Sequence, residues 1–364
     1  MKFTYNEREF DIKRYPATTN RSLQPWNAAD ELMLTQLEEH GYTDKKIALV
    51  NDRFGFLATS LDHAFPLSIV EYKSQEKSLK MNLSKNGLEI DPIFRFTPLD
   101  TLPGLDIGLI KVPKSLDLFR LNLHQLHFSL VEDGVIFCGF MTRYFTPQLL
   151  EIANEYFEVV EQSKAWKKAR VLILKGKKEV AENDFINTLT FNESELKQYY
   201  GVFSSNNIDY ATQYFIEQLS ILPNEQVVLD LASGNGVIAD SILEKHELSA
   251  VHLIDDSFLA VESSKLNLSD RPNVHFHHQD TLEEFKDDYF DLIVSNPPFH
   301  FEYETNIEVA IELFKGANRC LKLDGRFLMV ASKHLNFKTH LDKLFTVCKI
   351  IAENDKFVIY VCQK

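Results

Sequence analysis

The tetrapeptide Asn296-Pro297-Pro298-Phe299 contains the residue types needed to hold a flat amino group. It follows the apolar run 290–295, and its prolines disfavour continuation of a strand or a helix. Asn296 offers an amide oxygen, and the Pro297 carbonyl stays available because Pro298 has no N–H. These two acceptors can hold both hydrogens of an NH2 group with its lone pair toward an electrophile, while Phe299 stacks on the ring. The alternative is an ordinary proline turn beside a core phenylalanine.

A second motif, Asp230-Leu-Ala-Ser-Gly-Asn-Gly236, predicts a ligand-binding loop between a strand and a helix. Glycines there permit positive φ and close approach of a ligand, and the helix that follows offers free N–H groups. Ala239 stands where the dinucleotide fingerprint usually has its third glycine. Simple loop closure is the alternative interpretation. The loop residues that we expect to contact a cofactor are Asp230, Ala232, Ser233, Gly234, Asn235 and Gly236.

Acidic residues end three successive predicted strands, at Asp230, Asp255 and Asp280. Since the carboxyl ends of parallel strands open into one crevice, these carboxylates should converge there. Asp255 is placed to accept hydrogen bonds from both hydroxyls of a ribose, and Asp280 from an adenine amino group. Together they predict an adenosine-bearing cofactor. The alternative is that each acid is a helix N-cap or a turn residue.

The second half of the chain alternates strand-like and helix-like segments, which predicts an α/β fold with helices on both faces of a parallel sheet. We expect strands at 226–230, 250–255, 274–280, 290–295 and 326–331, a final hairpin at 348–352 and 356–361, helices from 237, over 257–268 and over 305–321, and a turn at Asp324-Gly325.

Several sequence elements recur about half a chain apart in the same order. Residues 80–84 (KMNLS) resemble 265–269 (KLNLS), 110–113 resemble 294–297, and Asp133-Gly134 precedes Asp324-Gly325. We interpret this pattern as two tandem Rossmann-like domains, of which the first is a degenerate duplicate. Its segment 51–55 has bulky residues where the second copy has the glycine loop, so a cofactor could hardly approach. Chance similarity between two doubly wound folds is the alternative.

Length and composition are those of a two-domain globular protein: 364 residues, 45% hydrophobic and 25% charged. We place the boundary at 182, giving domains 1–182 and 183–364. The four cysteines form no CxxC pair, which favours core thiols in a reducing compartment and argues against a structural zinc site. Because the sequence shows no export signal and no long apolar run, we expect a cytoplasmic protein without membrane contact. We also expect no bound metal, and we favour a monomer.

The charge of the chain is divided unevenly between these halves. Residues 1–182 hold 24 basic and 25 acidic side chains, whereas 183–364 hold 15 and 28. A polyanion would be repelled by the average field of the second half, so RNA contact should use the first half. A cluster of cations just before the boundary fits that role, and a solvated surface is its alternative. The cluster comprises Lys164, Lys167, Lys168, Arg170, Lys175, Lys177 and Lys178.

The glycine loop followed by Asn296-Pro297-Pro298-Phe299 resembles the S-adenosylmethionine-dependent methyltransferases that modify exocyclic amines. The duplicated architecture resembles the ribosomal RNA guanine-N2 methyltransferases, and five segments resemble their large-subunit (23S) branch: 23–30, 255–257, 296–300, 333–335 and 354–357. Two residues depart from the family pattern, Ala232 in place of glycine and Ser233 in place of cysteine. The segment 204–210 matches an Asp-x-Gly element loosely, which makes Asp209 a further expected cofactor contact.

This resemblance implies transfer of a methyl group from S-adenosylmethionine to the N2 amine of a guanine in 23S ribosomal RNA, in protein-free or early-assembly form. Asn296, Pro297, Pro298 and Phe299 would be the catalytic residues, with no covalent enzyme intermediate and no metal. The first domain would dock RNA or support the second. Small-subunit (16S) specificity, protein glutamine methylation and a dinucleotide oxidoreductase are the alternatives, the last leaving the Asn-Pro-Pro-Phe motif unexplained.

Overall fold

We analysed a computed structural model of the chain, which describes residues 1–20, 22–89, 95–192, 194–298, 300–301, 304–305 and 307–364, with the backbone alone at 300–301 and 304–305. The chain forms two compact units, Met1–Asp184 and Phe185–Lys364. None of the helices in the described part of the chain is both long and apolar enough to cross a membrane.

The first unit opens with a two-stranded hairpin and then alternates strands and helices. Its strands are β1 (Lys2–Tyr5), β2 (Arg8–Asp11), β3 (Ile47–Val50), β4 (Leu67–Ile69), β5 (Arg95–Phe96), β6 (Leu105–Lys111), β7 (Leu130–Met141), β8 (Phe157–Gln162) and β9 (Ala169–Lys177). Its helices are α1 (Ala28–His40), α2 (Phe56–Ser60), α3 (Lys73–Lys85), α4 (Leu116–Ser129) and α5 (Pro147–Tyr156).

The second unit repeats this plan. Its strands are β10 (Ile186–Phe191), β11 (Ser194–Tyr199), β12 (Val227–Leu231), β13 (Ala250–Asp255), β14 (Val274–His278), β15 (Phe290–Ser295), β16 (His300–Phe301), β17 (Glu304–Thr305), β18 (Leu321–Ser332), β19 (Val347–Glu353) and β20 (Phe357–Gln363). Its helices are α6 (Tyr210–Gln218), α7 (Val237–Leu243), α8 (Phe258–Leu268), α9 (Ile307–Cys320) and α10 (Lys338–Leu344).

Each unit contains a seven-stranded sheet with the same strand order. The order is β5-β4-β3-β6-β7-β9-β8 in the first unit and β14-β13-β12-β15-β18-β20-β19 in the second. The first five strands of each sheet are parallel, and the sixth strand, β9 or β20, pairs antiparallel with both of its neighbours. Buried apolar clusters cover both faces of each sheet, as expected for parallel strands. The predicted fold, two tandem Rossmann-like domains, is confirmed.

The duplication extends to individual hydrogen bonds. The Asn82 side chain on α3 accepts from the Lys13 N–H at 2.9 Å and donates to the carbonyls of Lys13 and Phe54, both at 2.8 Å. Asn267 on α8 accepts from the Lys197 N–H at 2.8 Å and donates to the carbonyls of Lys197 and Asn235, both at 2.9 Å. Each asparagine thus ties its helix to the second strand of a hairpin or the segment just after it, and to the loop after the central strand β3 or β12. This shared role explains the repeated KxNLS sequence.

The predicted turn at Asp324-Gly325 is wrong, because both residues lie within β18. Between Leu321, which pairs with Phe290, and Arg326, which pairs with Leu292, β18 has extra residues that bulge out of the ladder. β7 has the same irregularity, since Leu130 pairs with Leu105 and Val135 with Ile107. A glycine suits each bulge, because a Cβ on Gly134 would lie 2.4 Å from the Leu130 side chain and one on Gly325 would have a tight contact of 3.0 Å with the Phe290 carbonyl.

Candidate active site

Three chain segments leave the second sheet at the same level. Leu231, the last residue of β12, pairs with Ile254 of β13 on one side and with Ser295 of β15 on the other. The next residue along each strand is therefore Ala232, Asp255 or Asn296. Since neighbouring strands lie about 4.8 Å apart, the glycine loop, the acid and the Asn-Pro-Pro corner converge at one edge.

The loop after β12 has left-handed backbone conformation at three positions, Ala232 (φ 60°), Gly234 (φ 56°) and Gly236 (φ 83°). A Cβ on Gly234 would meet nothing within 4 Å, so this glycine leaves open space beside the backbone. A Cβ on Gly236 would lie 3.1 Å from both Leu253 and Leu268, so Gly236 serves close packing of the loop on the sheet and α8. Ala232 adopts its left-handed conformation without the freedom of a glycine.

Asp230 is fully buried beneath the loop. Its Oδ2 accepts a hydrogen bond from the Ala239 N–H at 3.1 Å, while Oδ1 has no hydrogen-bond partner among the described residues. Burial raises the pKa of this carboxyl to about 8. The buried Ser233 hydroxyl likewise lacks a partner within the described ranges. These two polar atoms could be satisfied by a ligand that carries N–H donors or a positive charge.

Asp255 connects the loop to the next helix. Its Oδ2 accepts from the Gly234 N–H at 2.9 Å, and its Oδ1 accepts from the Ser257 N–H, also at 2.9 Å. Burial raises the pKa of this carboxyl to about 6 despite the two hydrogen bonds. Asp255 therefore fixes the glycine loop as well as ending β13. Each oxygen has a second lone pair, so the carboxylate can still accept from a ligand.

The other two predicted cofactor contacts differ in placement. Asn235 turns its side chain into the protein, where Nδ2 donates to Gln198 at 2.9 Å and Oδ1 accepts from the Val237 N–H at 3.3 Å. Only its backbone can then face a ligand. Asp280 lies two residues beyond the end of β14, which stops at His278 rather than continuing to 280 as predicted.

Asn296 is held in one orientation by two residues at the start of α6. Its amide nitrogen donates to Asp209 Oδ2 at 3.2 Å and to Thr212 Oγ1 at 2.9 Å. Because a carboxylate only accepts hydrogen bonds, the amide nitrogen must face Asp209, and no described residue donates a hydrogen bond to Oδ1. Asp209 is also the N-cap of α6, accepting from Ala211 N–H at 3.0 Å. It therefore holds Asn296 in place, and the cofactor contact that the sequence suggested for Asp209 stays a prediction.

The proline corner fits the predicted acceptor pair. Pro297 is buried and Pro298 is exposed. No described residue donates a hydrogen bond to the Pro297 carbonyl. The neighbouring Ser295 hydroxyl donates to the Leu231 carbonyl at 2.7 Å, which fixes the strand end from which the corner departs. Phe299 lies outside the described residues.

Thr212 was missed by the sequence analysis, because it stands 84 positions before Asn296. The only local signal is its place in the first turn of a helix that Asp209 caps. The described part of the chain contains no group of three or more His, Cys, Asp or Glu arranged to hold a metal ion.

The first unit has the same backbone plan without the same chemistry in its loop. Sheet register places Leu49 where the second unit has Asp230, and Val70 where it has Asp255. Asp52, within the loop, now caps the helix by accepting from the Ala58 N–H at 2.8 Å. Arg53 replaces Gly234, donates to Ser74 Oγ at 2.6 Å and lies 4.6 Å above the Tyr72 ring. The first loop is therefore filled by its own side chains.

The Asn-Pro-Pro corner is replaced in the same way. Lys111 occupies the register position of Asn296 and pairs with Asp30 on α1, where the second unit has Thr212 on α6. An ammonium group only donates hydrogen bonds, so the Lys111 side chain cannot accept the hydrogens of an amine as the Asn296 amide oxygen can.

Comparison with known proteins agrees with this geometry. Residues 1–179 match the family described as RLMG N-terminal domain, and residues 193–361 match Methyltransferase small domain. The chain is 31% identical over 368 residues to Ribosomal RNA large subunit methyltransferase G of Shewanella sp. (strain MR-4), covering 98% of this chain and 97% of that protein. It is 30% identical over 369 residues to the protein of that name from Yersinia enterocolitica, covering 97% and 91%.

Among solved structures, the T. Thermophilus 16S rRNA N2 G1207 methyltransferase, in complex with AdoMet and guanosine, superposes with a TM-score of 0.78 at 18% identity. The match covers 100% of this chain and 97% of that one, and it shows that the two-unit fold is shared. From the matched families and the nearly full-length relatives, the chain belongs to the ribosomal RNA large subunit methyltransferase G family, a family of S-adenosylmethionine-dependent enzymes.

Proposed function

We propose that the protein methylates the exocyclic N2 amine of a guanine in 23S ribosomal RNA by direct in-line transfer from S-adenosylmethionine. The observation that carries the proposal is the fixed orientation of Asn296, which follows β15 at the level where the glycine loop follows β12 and whose amide nitrogen is held by Asp209 and Thr212, so that its oxygen serves as the acceptor. An acceptor held there suits an amine that must be positioned because it is a poor nucleophile.

The loop and the acids around it would hold S-adenosylmethionine, which supplies an electrophilic methyl group on a sulfonium when bound. Open space beside Gly234 permits close approach, and Asp230 Oδ1 and Ser233 Oγ lack partners in the described structure. Asp255 would accept from the ribose hydroxyls, and Asp280 from the adenine amino group. Ala232, Asn235 and Gly236 would contribute backbone and loop shape. Asp209, in our proposal, acts through Asn296.

The transfer corner would act by positioning. Asn296 Oδ1 and the Pro297 carbonyl would accept the amine hydrogens as positive charge develops on nitrogen. The nitrogen, having gained the methyl group as the sulfonium becomes the thioether S-adenosylhomocysteine, would then lose one proton to solvent. Pro298 would keep the turn rigid, and Phe299 would stack on the base. Alignment of this kind can supply roughly 7–11 kcal/mol of the barrier reduction. Base pairing hides this edge of guanine, so the target would be unpaired or flipped out, the latter costing a few kcal/mol.

The first unit would contribute RNA docking, but its seven cations do not form one patch. Lys164, Lys167 and Lys168 lie in the turn before β9, whereas Lys175, Lys177 and Lys178 lie at its far end. The two groups are separated by roughly 20 Å, since each strand residue adds about 3.3 Å. The side chains of Lys177 and Lys178 donate to backbone carbonyls, both at 2.7 Å. We therefore assign phosphate contact to the turn, where Lys167 is 64% exposed.

We favour large-subunit RNA, in protein-free or early-assembly form, as the substrate because the nearly full-length relatives carry that name. Because its substrate would be ribosomal RNA, we expect the protein to act in the cytoplasm.

The test pairs two variants in a methyl-transfer assay with labelled S-adenosylmethionine. Asn296→Ala should lower kcat by roughly 100-fold or more with little change in cofactor affinity, because it removes a positioned acceptor. Asp255→Ala should instead weaken cofactor binding. Equal loss of kcat and cofactor affinity in N296A would contradict the assigned role. Protein-free 23S RNA, 16S RNA, assembled subunits and release factors are offered separately, and methylation of 16S RNA or of a protein glutamine alone would overturn the substrate assignment.

A further inference from the structure

The outer side of α6 carries side chains that methyl transfer leaves unexplained. Tyr210, Gln213, Tyr214 and Glu217 have the i, i+3, i+4, i+7 spacing that places residues along one side of a helix. The other side of α6 is buried. Tyr210 is 75% exposed, so its ring is open to a ligand.

The turn between β19 and β20 faces this helix across a small cavity. Asn354 Oδ1 accepts hydrogen bonds from the N–H groups of Lys356 at 2.9 Å and Phe357 at 2.8 Å. The Lys356 carbonyl accepts from the Lys333 N–H at 3.0 Å, at the end of β18. The turn is therefore fixed from both sides, which gives a structural role to the segment 354–357 that the sequence analysis singled out.

The cavity between helix and turn has a volume of about 320 Å3 and combines three kinds of chemistry. Its aromatic rings offer stacking faces, Lys356 offers a cation, and Glu217 offers hydrogen-bond acceptors. Neither Lys356 nor Glu217 forms an ion pair with any residue that the structure describes. The lining residues are Tyr210, Gln213, Tyr214, Glu217, Asn354, Lys356 and Phe357.

These groups match the parts of an unpaired nucleotide. A base can stack on tyrosine, its edge N–H groups can donate to a carboxylate, and its phosphate can pair with a lysine. The Gln213 amide nitrogen is already engaged with the Ile208 carbonyl at 2.6 Å, which leaves its oxygen for a further base-edge donor.

The cavity also lies beside the transfer corner. Asp209, which holds Asn296, is the residue immediately before Tyr210, and consecutive Cα atoms are about 3.8 Å apart. In our proposal, a strand whose guanine reaches Asn296 continues past this point. We propose that the cavity binds the unpaired nucleotide that flanks the target guanine, and we call it the flanking-base cavity. The inference rests on the proposed RNA substrate.

The first test measures binding of the pentaribonucleotide UUGUU, with S-adenosylhomocysteine present, and of two analogues that lack the base on one or the other side of guanine. Tyr210→Ala should weaken binding of the complete oligonucleotide by about 5- to 150-fold, the loss expected for one stacked base. It should have little effect on the analogue that lacks the base in the cavity. Tyr210→Phe should bind like the unchanged protein, because it keeps the ring.

The matched control is Phe65→Ala in the first unit, a ring that is 68% exposed, which should leave binding unchanged. The Tyr210→Ala protein should also methylate the analogue that lacks the base in the cavity with the kcat of the unchanged protein, which excludes an indirect effect through Asp209 and Asn296. Equal weakening for all three oligonucleotides, or none for any, would overturn the proposal.

The second test uses the salt dependence of binding. Lys356→Ala should reduce the slope of log Kd against log salt by about 0.7, the value for one phosphate contact on a single strand. Lys245→Ala, an exposed lysine at the end of α7, should leave the slope unchanged. If the protein methylates 23S RNA while Tyr210→Ala and Lys356→Ala leave kcat/KM unaltered, the flanking-base cavity is refuted and the proposed function stands. If no ribosomal RNA is methylated, the proposed function itself has failed.

Discussion

Replacing Asn296 by aspartate tests the orientation on which the proposed chemistry depends. The structure places the amide nitrogen 3.2 Å from Asp209 Oδ2, so Asn296→Asp would put a second carboxylate oxygen at that distance. Two unit charges 3.2 Å apart repel by about 5 kcal/mol at an effective dielectric constant of about 20. The pair can avoid this repulsion by binding a proton, which costs about 4 kcal/mol at pH 7 for a carboxyl of ordinary pKa. We therefore expect unfolding of the second unit to become easier by roughly 2–4 kcal/mol at pH 7.

The pH dependence separates this mechanism from simple loss of packing. The folded variant would hold one proton more than the unfolded chain above about pH 4, so its stability deficit should shrink by about 1.4 kcal/mol for each pH unit of acidification. Urea unfolding at several pH values measures this slope for the unchanged protein, for N296D and for N296D combined with Asp209→Asn. The second substitution removes one of the two charges, so the double variant should regain most of the stability that N296D loses. A deficit that is absent at pH 7, or independent of pH, would show that the amide nitrogen does not face Asp209.

Three further predictions concern other parts of the chain. Ala232→Gly should stabilise the second unit by up to about 1 kcal/mol in urea unfolding. The substitution removes the steric strain of an alanine in the left-handed conformation (φ 60°), and this gain outweighs the added freedom of the unfolded chain. A less stable variant would contradict this account. His252 is 8% exposed and its pKa is lowered to about 4 by burial and by the neighbouring His277 and His275. At this site the unfolded chain binds more protons between pH 4 and 6.5, so the contribution of His252 to the free energy of unfolding should fall by up to about 3 kcal/mol as the pH drops across that range. Because the buried Asp230 and Asp255 carboxyls have the opposite pH dependence, the measurement is the difference in free energy of unfolding between the unchanged protein and His252→Phe, which should change with pH by that amount. Charge reversal at Lys167 and Lys168 should weaken RNA binding and reduce its salt slope, whereas Lys178→Glu at the far end of β9 should not, as measured by filter binding at several salt concentrations.

The sequence predicted the elements of the second sheet wherever apolar runs ended in turn residues. The strands 250–255 and 290–295 have the expected bounds, and the final hairpin is present as β19 and β20. Patterns of apolar residues identify such strands because both faces of the sheet are buried. The bulge in β18 was mistaken for a turn, because an Asp-Gly pair is favoured at a turn and at a bulge alike.

The candidate site was predictable where a motif is contiguous and unpredictable where distant segments meet. The loop and the Asn-Pro-Pro corner could be recognised from residue types alone. The contacts that orient Asn296 join residues 84 and 87 positions apart, so no local pattern reveals them. The prediction of a single cationic cluster failed because residues that are close in sequence lie at opposite ends of β9.

Asn82 and Asn267 make the same three hydrogen bonds, although only one of them lies beneath an intact glycine loop. Architecture and ligand recognition are thus encoded by separate residues, and the second property can be lost while the first persists. The first unit is consequently a scaffold that can be redesigned. Leu49→Asp, Arg53→Gly and Val70→Asp would introduce the two acids and the glycine that the second unit has at the equivalent positions. Such a chain could gain a second nucleoside pocket without a new fold.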